Sequence, residues 1–110
     1  MKIAIPTAEG KLATHFGHCE NFIFVSLEDG LIKNKTEEKP PPHEPGVLPK
    51  FLSEKKVDII IAGGMGQRAQ QLFANNNIKV IVGAPSIEID ILVQQYIDGT
   101  LQTGQNLCDH

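Results

Sequence analysis

Two short runs of consecutive apolar residues constrain the fold of this chain more than any other feature. The segment "VDIIIAGG" is apolar at every position from Ile59 to Ala62, and "IKVIVGAP" is a second buried run. Strands that are apolar on both faces are typical of parallel sheets covered by helices. The intervening "MGQRAQQLFANNN" predicts a helix whose apolar face carries Met65, Ala69, Leu72 and Phe73.

The first part of the chain predicts strands of a different kind. "KIAIP" (2–6) and the alternating "NFIFVSLE" (21–28) both indicate strands, and Asp29-Gly30 is a residue pair that tight hairpin turns prefer. The more polar "LIKNKTE" (31–37) then returns as an antiparallel strand at the edge of the sheet. The proline-rich "EEKPPPHEPG" predicts an extended loop.

Two more helices complete the pattern. One has Pro49 in its first turn and apolar residues at helical spacing, namely Val47, Leu48, Phe51 and Leu52. In the other, Ser86 is the expected N-cap, Gly99 ends the helix, and the apolar stripe is Ile89, Leu92, Val93, Tyr96 and Ile97. The order predicts an α/β fold with one antiparallel strand in a mostly parallel sheet and helices on both faces.

Length and charge narrow the class of protein. A chain of 110 residues is expected to form a single domain over 1–110. With a net charge of -3 and ten scattered lysines and arginines, it lacks the basic surface that nucleic acid requires. No apolar run approaches the roughly 18 residues that cross a bilayer. We therefore expect a cytoplasmic protein that binds neither nucleic acid nor membrane.

The predicted topology brings several histidines, cysteines and glycines to one edge of the sheet. Loops that follow parallel strands meet at the carboxyl ends of those strands, where α/β proteins bind ligands. The loop containing "HFGHC", the proline-rich loop, "AGGMGQ" and "VGAPS" all belong to this rim. The segment "TLQTGQNLCDH" (100–110) leaves the final helix at the opposite rim, and the sequence does not decide whether it returns.

The candidate ligands form a Cys/His set of six: His15, His18, Cys19, His43, Cys108 and His110. Imidazole and thiolate suit Zn, Cu(I), Fe or an iron–sulfur cluster better than Mg or Ca. The spacing is not that of a zinc finger, so solvated histidines in turns are the alternative. Cys19 as a nucleophile, with His15 or His18 as its base, is a further alternative, but no third orienting residue accompanies them.

The glycine-rich segment "GGMG" lies between a predicted strand and a predicted helix. Backbone N–H groups of Gly63, Gly64, Met65 and Gly66 form a candidate anion or cofactor site there. The segment lacks the Lys-Ser/Thr of a P-loop and the spacing of a dinucleotide-binding motif. A tight turn without a ligand is the alternative, and Arg68 in the first helical turn either supplements the site or is solvated.

Taken together, "HFGHCENF", "IIIAGGMGQRAQQLF", "IKVIVGA" and "GTLQTGQNLCDH" resemble the dinitrogenase iron–molybdenum cofactor biosynthesis family. This small domain occurs in nitrogenase cofactor carriers and in many stand-alone proteins of anaerobic bacteria and archaea. The resemblance implies a ribonuclease H-like, three-layer α/β/α fold with a mixed five-stranded sheet. It also implies that the protein binds or carries clusters rather than catalysing a reaction.

Within this resemblance, His15 matches the histidine of the family's "HFG" motif, and Gly63, Gly64 and Gly66 match its glycine-rich segment. The cargo implied is an iron–sulfur or molybdenum-containing cluster, with Cys19 and Cys108 joining His15 as the leading ligands. Cluster donor or recipient proteins are the implied partners of a monomer or homodimer. The alternative function is a regulatory module that binds a nucleotide or a protein at the glycine-rich rim without metal.

Overall fold

Apart from the short strand β2, the strands and helices follow one another along the chain in the predicted order. The computed structural model describes residues 1–14, 16, 19–41 and 47–104. Its strands are β1 (Lys2–Ala8), β2 (Lys11–Leu12), β3 (Asn21–Glu28), β4 (Leu31–Glu38), β5 (Ile59–Ile61) and β6 (Lys79–Ile81). Its helices are α1 (Val47–Glu54), α2 (Gln67–Asn75) and α3 (Ile89–Asp98).

The main sheet has the strand order β4-β3-β1-β5-β6, and the two-residue β2 pairs with the end of β1. β1, β5 and β6 are parallel, whereas β3 is antiparallel to both β1 and β4. Four of the five strands therefore point the same way. This confirms the predicted mixed, mostly parallel sheet, and helices on both of its faces give a three-layer α/β/α fold.

The two faces of the sheet pack against different helices. On one face α3 covers an aliphatic cluster that includes Ile3, Ile5, Val25, Ile61 and Leu92. On the other, α1 and α2 cover an aromatic cluster that includes Phe16, Phe22, Phe24, Leu52 and Phe73. The side chains of neighbouring strand residues point to opposite faces, so the alternation within β3 separates the two clusters.

Two hairpins shape the antiparallel part of the sheet. Asp29 and Gly30 have φ values of 53° and 76°, the paired positive φ of the predicted turn, and β4 lies at the edge as expected. Glu9 and Gly10 form a second such turn, with φ values of 55° and 79°, between β1 and β2. The sequence prediction did not include β2 because a two-residue strand carries no detectable alternation.

Three local predictions were wrong. β6 is an edge strand rather than a buried one, with Lys79 exposed, because no strand among the described residues pairs with its outer side. Glu88, not Ser86, is the N-cap of α3, and the Ser86 hydroxyl instead donates to the carbonyl oxygen of Leu12 at 2.7 Å. Met65 is buried ahead of α2, and Leu72 lies on the exposed side of that helix.

None of the helices in the described part of the chain combines the length and the apolar character that spanning a membrane would require.

Candidate functional site

The loop that carries the "HFGHC" motif, residues 13–20, is here called the rim loop. It begins and ends on neighbouring residues of β1. The N–H of Ala13 donates to the carbonyl oxygen of Pro6 at 2.9 Å, and that of Glu20 donates to Thr7 at 2.7 Å. The Glu20 carboxylate also accepts a hydrogen bond from the N–H of Glu9 at 2.9 Å. Both ends of the rim loop are therefore held at the carboxyl end of β1.

The rim loop contacts the segment after β5, residues 62–66, here called the glycine loop. The N–H of Phe16 donates to the carbonyl oxygen of Gly64 at 2.9 Å. A Cβ atom on Gly63 would lie 3.1 Å from the carbonyl oxygen of Ala13 and 3.2 Å from that of Thr14. Thr14 and Phe16, the residues on either side of His15, are therefore both adjacent to the glycine loop.

Phe16 anchors the rim loop to the aromatic cluster. Its side chain is 5% exposed, and its ring lies 5.6 Å from the Phe22 ring and 5.4 Å from the Phe73 ring, measured between centroids. The contact with Phe73 is edge-to-face, a favourable arrangement for aromatic pairs. Because Phe22 lies on β3 and Phe73 on α2, the Phe16 side chain connects the rim loop to both of these elements.

Cys19 is the one candidate metal ligand within the described residues. It is half-buried, makes no disulfide and packs against the aromatic cluster. Burial raises the pKa of its thiol, and a backbone hydrogen bond partly offsets that effect. The thiol is therefore protonated at neutral pH, which makes it a poor nucleophile in the metal-free protein.

The glycine loop presents backbone N–H groups at the start of α2. Gly63, Gly64 and Met65 are buried, whereas Gly66 is exposed and is the N-cap of that helix. Among hydrogen bonds that join described residues, none is donated by the N–H of Gly63 or Gly64. Backbone N–H groups at the start of a helix are suited to an acceptor on a bound group, and Gly63 and Gly64 lie just ahead of α2.

Residues 99–104, here called the tail, approach the glycine loop from the other side. The N–H of Gly104 donates to the carbonyl oxygen of Gly83 at 2.7 Å, and the N–H of Gly83 donates to Gly63 at 2.9 Å. The chain therefore returns from α3 to the carboxyl ends of the strands. This resolves, as far as residue 104, the question that the sequence left open about the end of the chain.

The structure covers only part of the predicted site. His15, His18, His43, Cys108 and His110 lie outside the described residues. Among the residues that are described, no three His, Cys, Asp or Glu side chains form a group able to hold a metal ion. The backbone arrangement brings Thr14 and Phe16, the flanks of His15, together with Gly63 and Gly64. Cys19 packs against the aromatic cluster, and Arg68 is exposed in the first turn of α2.

Sequence reasoning missed three residues that shape this site. Phe16 was part of the quoted motif but had no assigned role, although an aromatic residue between polar ones in a loop is a signal of anchoring. Gly83 and Gly104 were also missed. Gly83 adopts a φ of 80° and directly contacts Gly104, a pairing that sequence alone could not reveal.

Comparison with known proteins identifies relatives along nearly the whole chain. An uncharacterised protein of Methanocaldococcus jannaschii, MJ0580, is 32% identical over 107 residues, which cover 93% of this chain and 90% of that protein. The crystal structure of PH0822 shares 30% identity and superposes with a TM-score of 0.88 over 94% of each chain.

A third relative shows how far the fold persists as sequence diverges. The apo form of the orange protein from Desulfovibrio gigas superposes with a TM-score of 0.75 at 19% identity, covering 96% of this chain and 93% of that one. At this identity the likeness concerns the fold alone.

The family assignment follows from a match that spans most of the sequence. The family model described as "Dinitrogenase iron-molybdenum cofactor" matches residues 1–99. This is a family of cofactor-biosynthesis accessory and carrier domains and is not a known catalytic family. The chain belongs to the dinitrogenase iron–molybdenum cofactor family.

Proposed function

We propose that this domain reversibly binds an iron–sulfur or molybdenum-containing cluster at the junction of the rim loop and the glycine loop. The observation that carries the proposal is the Phe16–Gly64 hydrogen bond of 2.9 Å. It holds Phe16, the residue after His15, against the buried glycines 63 and 64 that precede α2. The membership of the family supports a cluster as the cargo.

The proposed ligands are His15 and Cys19, with Cys108 as a third and His18, His43 and His110 as further candidates. Thiolate and imidazole are suitable ligands for iron and for iron–sulfur clusters. Gly63 and Gly64 would donate hydrogen bonds to sulfides of an anionic cluster, an outer contact that orients and tunes a metal site. Met65 and Gly66 complete the loop that surrounds these donors.

The protonated state of Cys19 has a consequence for cargo binding. Burial holds the pKa of this thiol above its ordinary value. Metal binding requires the thiolate, so uptake releases a proton and strengthens as the pH rises towards that pKa. Reversible binding follows from the same linkage, because a fall in pH favours the protonated thiol and release of the cargo.

The partner that we infer is a protein that donates or receives the cluster. Gly66, Gln67 and Arg68 are exposed beside the buried part of the glycine loop. They offer a partner access to the edge of the site without disturbing the hydrophobic clusters. We also infer that residues 1–110 act as one domain, since both clusters share a single sheet. The compartment that we propose is the cytoplasm, where thiols stay reduced and able to bind metal.

The test is anaerobic reconstitution with iron, sulfide and molybdate, followed by metal analysis and an absorption spectrum. We expect stoichiometric metal and charge-transfer bands in the native chain, and loss of both in Cys19→Ala and His15→Ala. The matched control is Ser26→Ala, which removes one γ atom from a half-buried residue paired with Lys2 at the opposite end of β1.

Two outcomes would contradict the proposal. Unchanged metal stoichiometry and affinity in both Cys19→Ala and His15→Ala would show that the ligands are assigned wrongly. A chain that stays colourless and metal-free in every condition would exclude the carrier function and favour the alternative of a metal-free interaction module at the same rim.

A further inference from the structure

A cavity of about 420 Å³ lies at the amino end of β1, at the other end of the strand from the rim loop. Its wall combines the start of β1, the end of β3, the start of β4 and the turn that joins α1 to β5. Four of the chain's ten lysines and arginines line it together with two carboxylates, Glu28 and Asp58; the four are Lys2, Lys33, Lys55 and Lys56. This site, here called the basic cavity, is therefore locally positive in a chain whose net charge is -3.

Both carboxylates of the basic cavity already accept hydrogen bonds from the protein. Glu28 pairs with the ammonium group of Lys33 at 2.7 Å. Asp58 accepts a hydrogen bond from the backbone N–H of Lys2 at 2.8 Å. In the part of the chain that the structure describes, the ammonium groups of Lys2 and Lys56 pair with no carboxylate. These two groups are the positive charges that a bound anion would neutralise.

Aromatic rings hold two of the lysines beside each other. The Lys2 ammonium lies 5.3 Å from the centre of the Phe24 ring, and that of Lys55 lies 5.5 Å from the centre of the Phe51 ring. The two rings are in edge-to-face contact, with their centres 6.2 Å apart. Both lysines are half-buried, where charges interact more strongly than in bulk water. An anion between them would relieve the repulsion of the two ammonium groups, and Glu38, which pairs with Lys55 at 2.7 Å, reaches one of them.

Lys56 occupies a backbone position that favours glycine. It follows α1 with a φ of 60°, and its N–H donates to the carbonyl oxygen of Ser53 at 3.0 Å. Helices commonly end in a left-handed residue of this kind, and glycine is the usual one because a Cβ atom costs conformational energy there. The exposed Lys56 side chain lines the cavity from this strained turn. Backbone strain of this kind is common at functional sites.

We propose that the basic cavity binds the phosphate group of a small molecule through Lys2, Lys55 and Lys56. Lysine is a frequent phosphate ligand and acts there as a point charge. Ser26, half-buried in the same wall, brings a hydroxyl group as a neutral donor. The volume falls in the range of small-molecule sites, so it holds a phosphate group together with the organic part that carries it. The site lies away from the rim loop and does not depend on the proposed function.

The test is an NMR titration of metal-free protein with inorganic phosphate and with pyrophosphate, each at fixed ionic strength so that general screening is constant. We expect saturable shifts of the backbone amide signals of Lys2, Ser26 and Lys56. Pyrophosphate should bind more tightly than phosphate because it carries more negative charge. The dissociation constant from the same titration then compares the variants.

Two variants remove one cation each from the cavity, and a third removes one elsewhere. We expect the dissociation constant to rise about three- to tenfold in Lys2→Gln and in Lys56→Gly, the effect of losing about one net hydrogen bond. Lys11→Gln is the matched control, because Lys11 is exposed at the other end of β1, and its constant should not change. Since glycine suits the left-handed turn, Lys56→Gly should unfold at the same temperature as the native chain or higher. Weaker binding without a loss of stability separates a ligand contact from a structural role.

Three results would overturn the proposal. One is equal dissociation constants in the native chain, Lys2→Gln and Lys56→Gly. Another is a set of shifts confined to the glycine loop, which would assign anion binding to the opposite end of the sheet. The third is a glutamate-rich peptide that binds the cavity more tightly than pyrophosphate, which would identify an acidic protein as the partner. Cys19→Ala should bind phosphate as the native chain does, so a failure of cluster uptake and a failure of phosphate binding are distinguishable.

Discussion

The two faces of the sheet differ in chemistry, and the difference coincides with the candidate site. All five phenylalanines of the chain lie on the face covered by α1 and α2, whereas the buried residues under α3 are aliphatic, with Tyr96 packed at their margin. Phe16 and Cys19 of the rim loop both pack on the aromatic face. One face therefore supports the fold alone, while the other supports the fold and the site together.

Ring contacts explain why the aromatic face is suited to hold a loop. Phe51 of α1 lies 6.3 Å from Phe22 and 6.2 Å from Phe24, and Phe16 joins the same set through Phe22 and Phe73. Large planar side chains span the distance between sheet, helix and loop with few rotatable bonds. A single substitution on this face is thus expected to affect the position of the rim loop as well as stability.

The largest expected effect is that of Phe16→Ala, compared with Leu92→Ala on the aliphatic face. Both residues are buried, and removing such side chains costs about 3–5 kcal/mol for phenylalanine and about 2–5 kcal/mol for leucine. Urea denaturation measures this loss. We expect cluster binding per folded molecule to fall only in Phe16→Ala, and an equal fall in Leu92→Ala would contradict the division of roles between the faces.

A smaller loss of stability is expected from a substitution where the rim loop contacts the glycine loop. In Gly63→Ala the new Cβ would lie 3.1 Å from a backbone oxygen of Ala13, an overpacking that costs about 1–3 kcal/mol. Gly66→Ala is the matched control, because its Cβ has nothing within 4 Å and its φ of -63° is normal. Denaturation should show a smaller loss for this control, about 0.5–1 kcal/mol, because alanine is a poorer N-cap residue than glycine. Similar losses in both would argue against close contact between the loops.

The pH dependence of stability tests the burial of Cys19 on the aromatic cluster. Burial raises the folded-state pKa of this thiol, so its contribution to stability is complete below the unfolded pKa of about 8.5 and is lost as the pH rises through the folded value. Between those limits the free energy of unfolding should fall by at most about 1.4 kcal/mol per pH unit.

Urea denaturation of metal-free protein across this alkaline range measures the decline. Cys19→Ala should remove the part that this thiol contributes, while Cys108→Ala controls for the second cysteine of the chain. A decline that is identical in the native chain and Cys19→Ala would show that the Cys19 thiol is not desolvated in the folded state.

The smallest expected effects concern two lysines that connect the edge strand β4 to the helical layers. Lys55 pairs with Glu38 at 2.7 Å and lies 5.5 Å above the Phe51 ring on the aromatic face. Lys35 pairs with Asp90 at 2.7 Å on the other face, where both side chains are more exposed. We expect Lys55→Met to cost about 0.5–1 kcal/mol and Lys35→Met less than about 0.5 kcal/mol. Higher salt should reduce both losses, and a larger loss for Lys35→Met would reverse the comparison.

Much of the fold was predictable because it depends on local patterns. The alternation of Phe22 and Phe24 with Ile23 and Val25 predicted a strand between two different surfaces, and the structure confirms it. Asp29-Gly30 was predicted to form a turn and Gly99 to end a helix. All three residues have positive φ, which favours glycine and, next to it, aspartate and asparagine. In contrast, the exposure of β6 depends on the absence of a neighbouring strand among the described residues, which no local pattern records.

The candidate site was predictable in position but not in its connections. The order of elements predicted that the rim loop and the glycine loop would share one edge of the sheet. The hydrogen bonds from Phe16 to Gly64 and from Gly104 to Gly83 join backbone groups, which every non-proline residue carries. The identities of the side chains therefore did not predict these two hydrogen bonds. The assignment of His15, His18, His43, Cys108 and His110 as ligands stays a prediction.

The sequence by itself determined the α/β class, the two faces of β3, the hairpin and the family, because periodicity, turn chemistry and motif identity are properties of short segments. Only the tertiary structure decided that the aromatic face supports the rim loop, that Cys19 is desolvated and that the tail returns to Gly83. These features arise where residues far apart in the chain exclude water or contact each other's backbone. Which residues meet in this way depends on how the whole sheet packs.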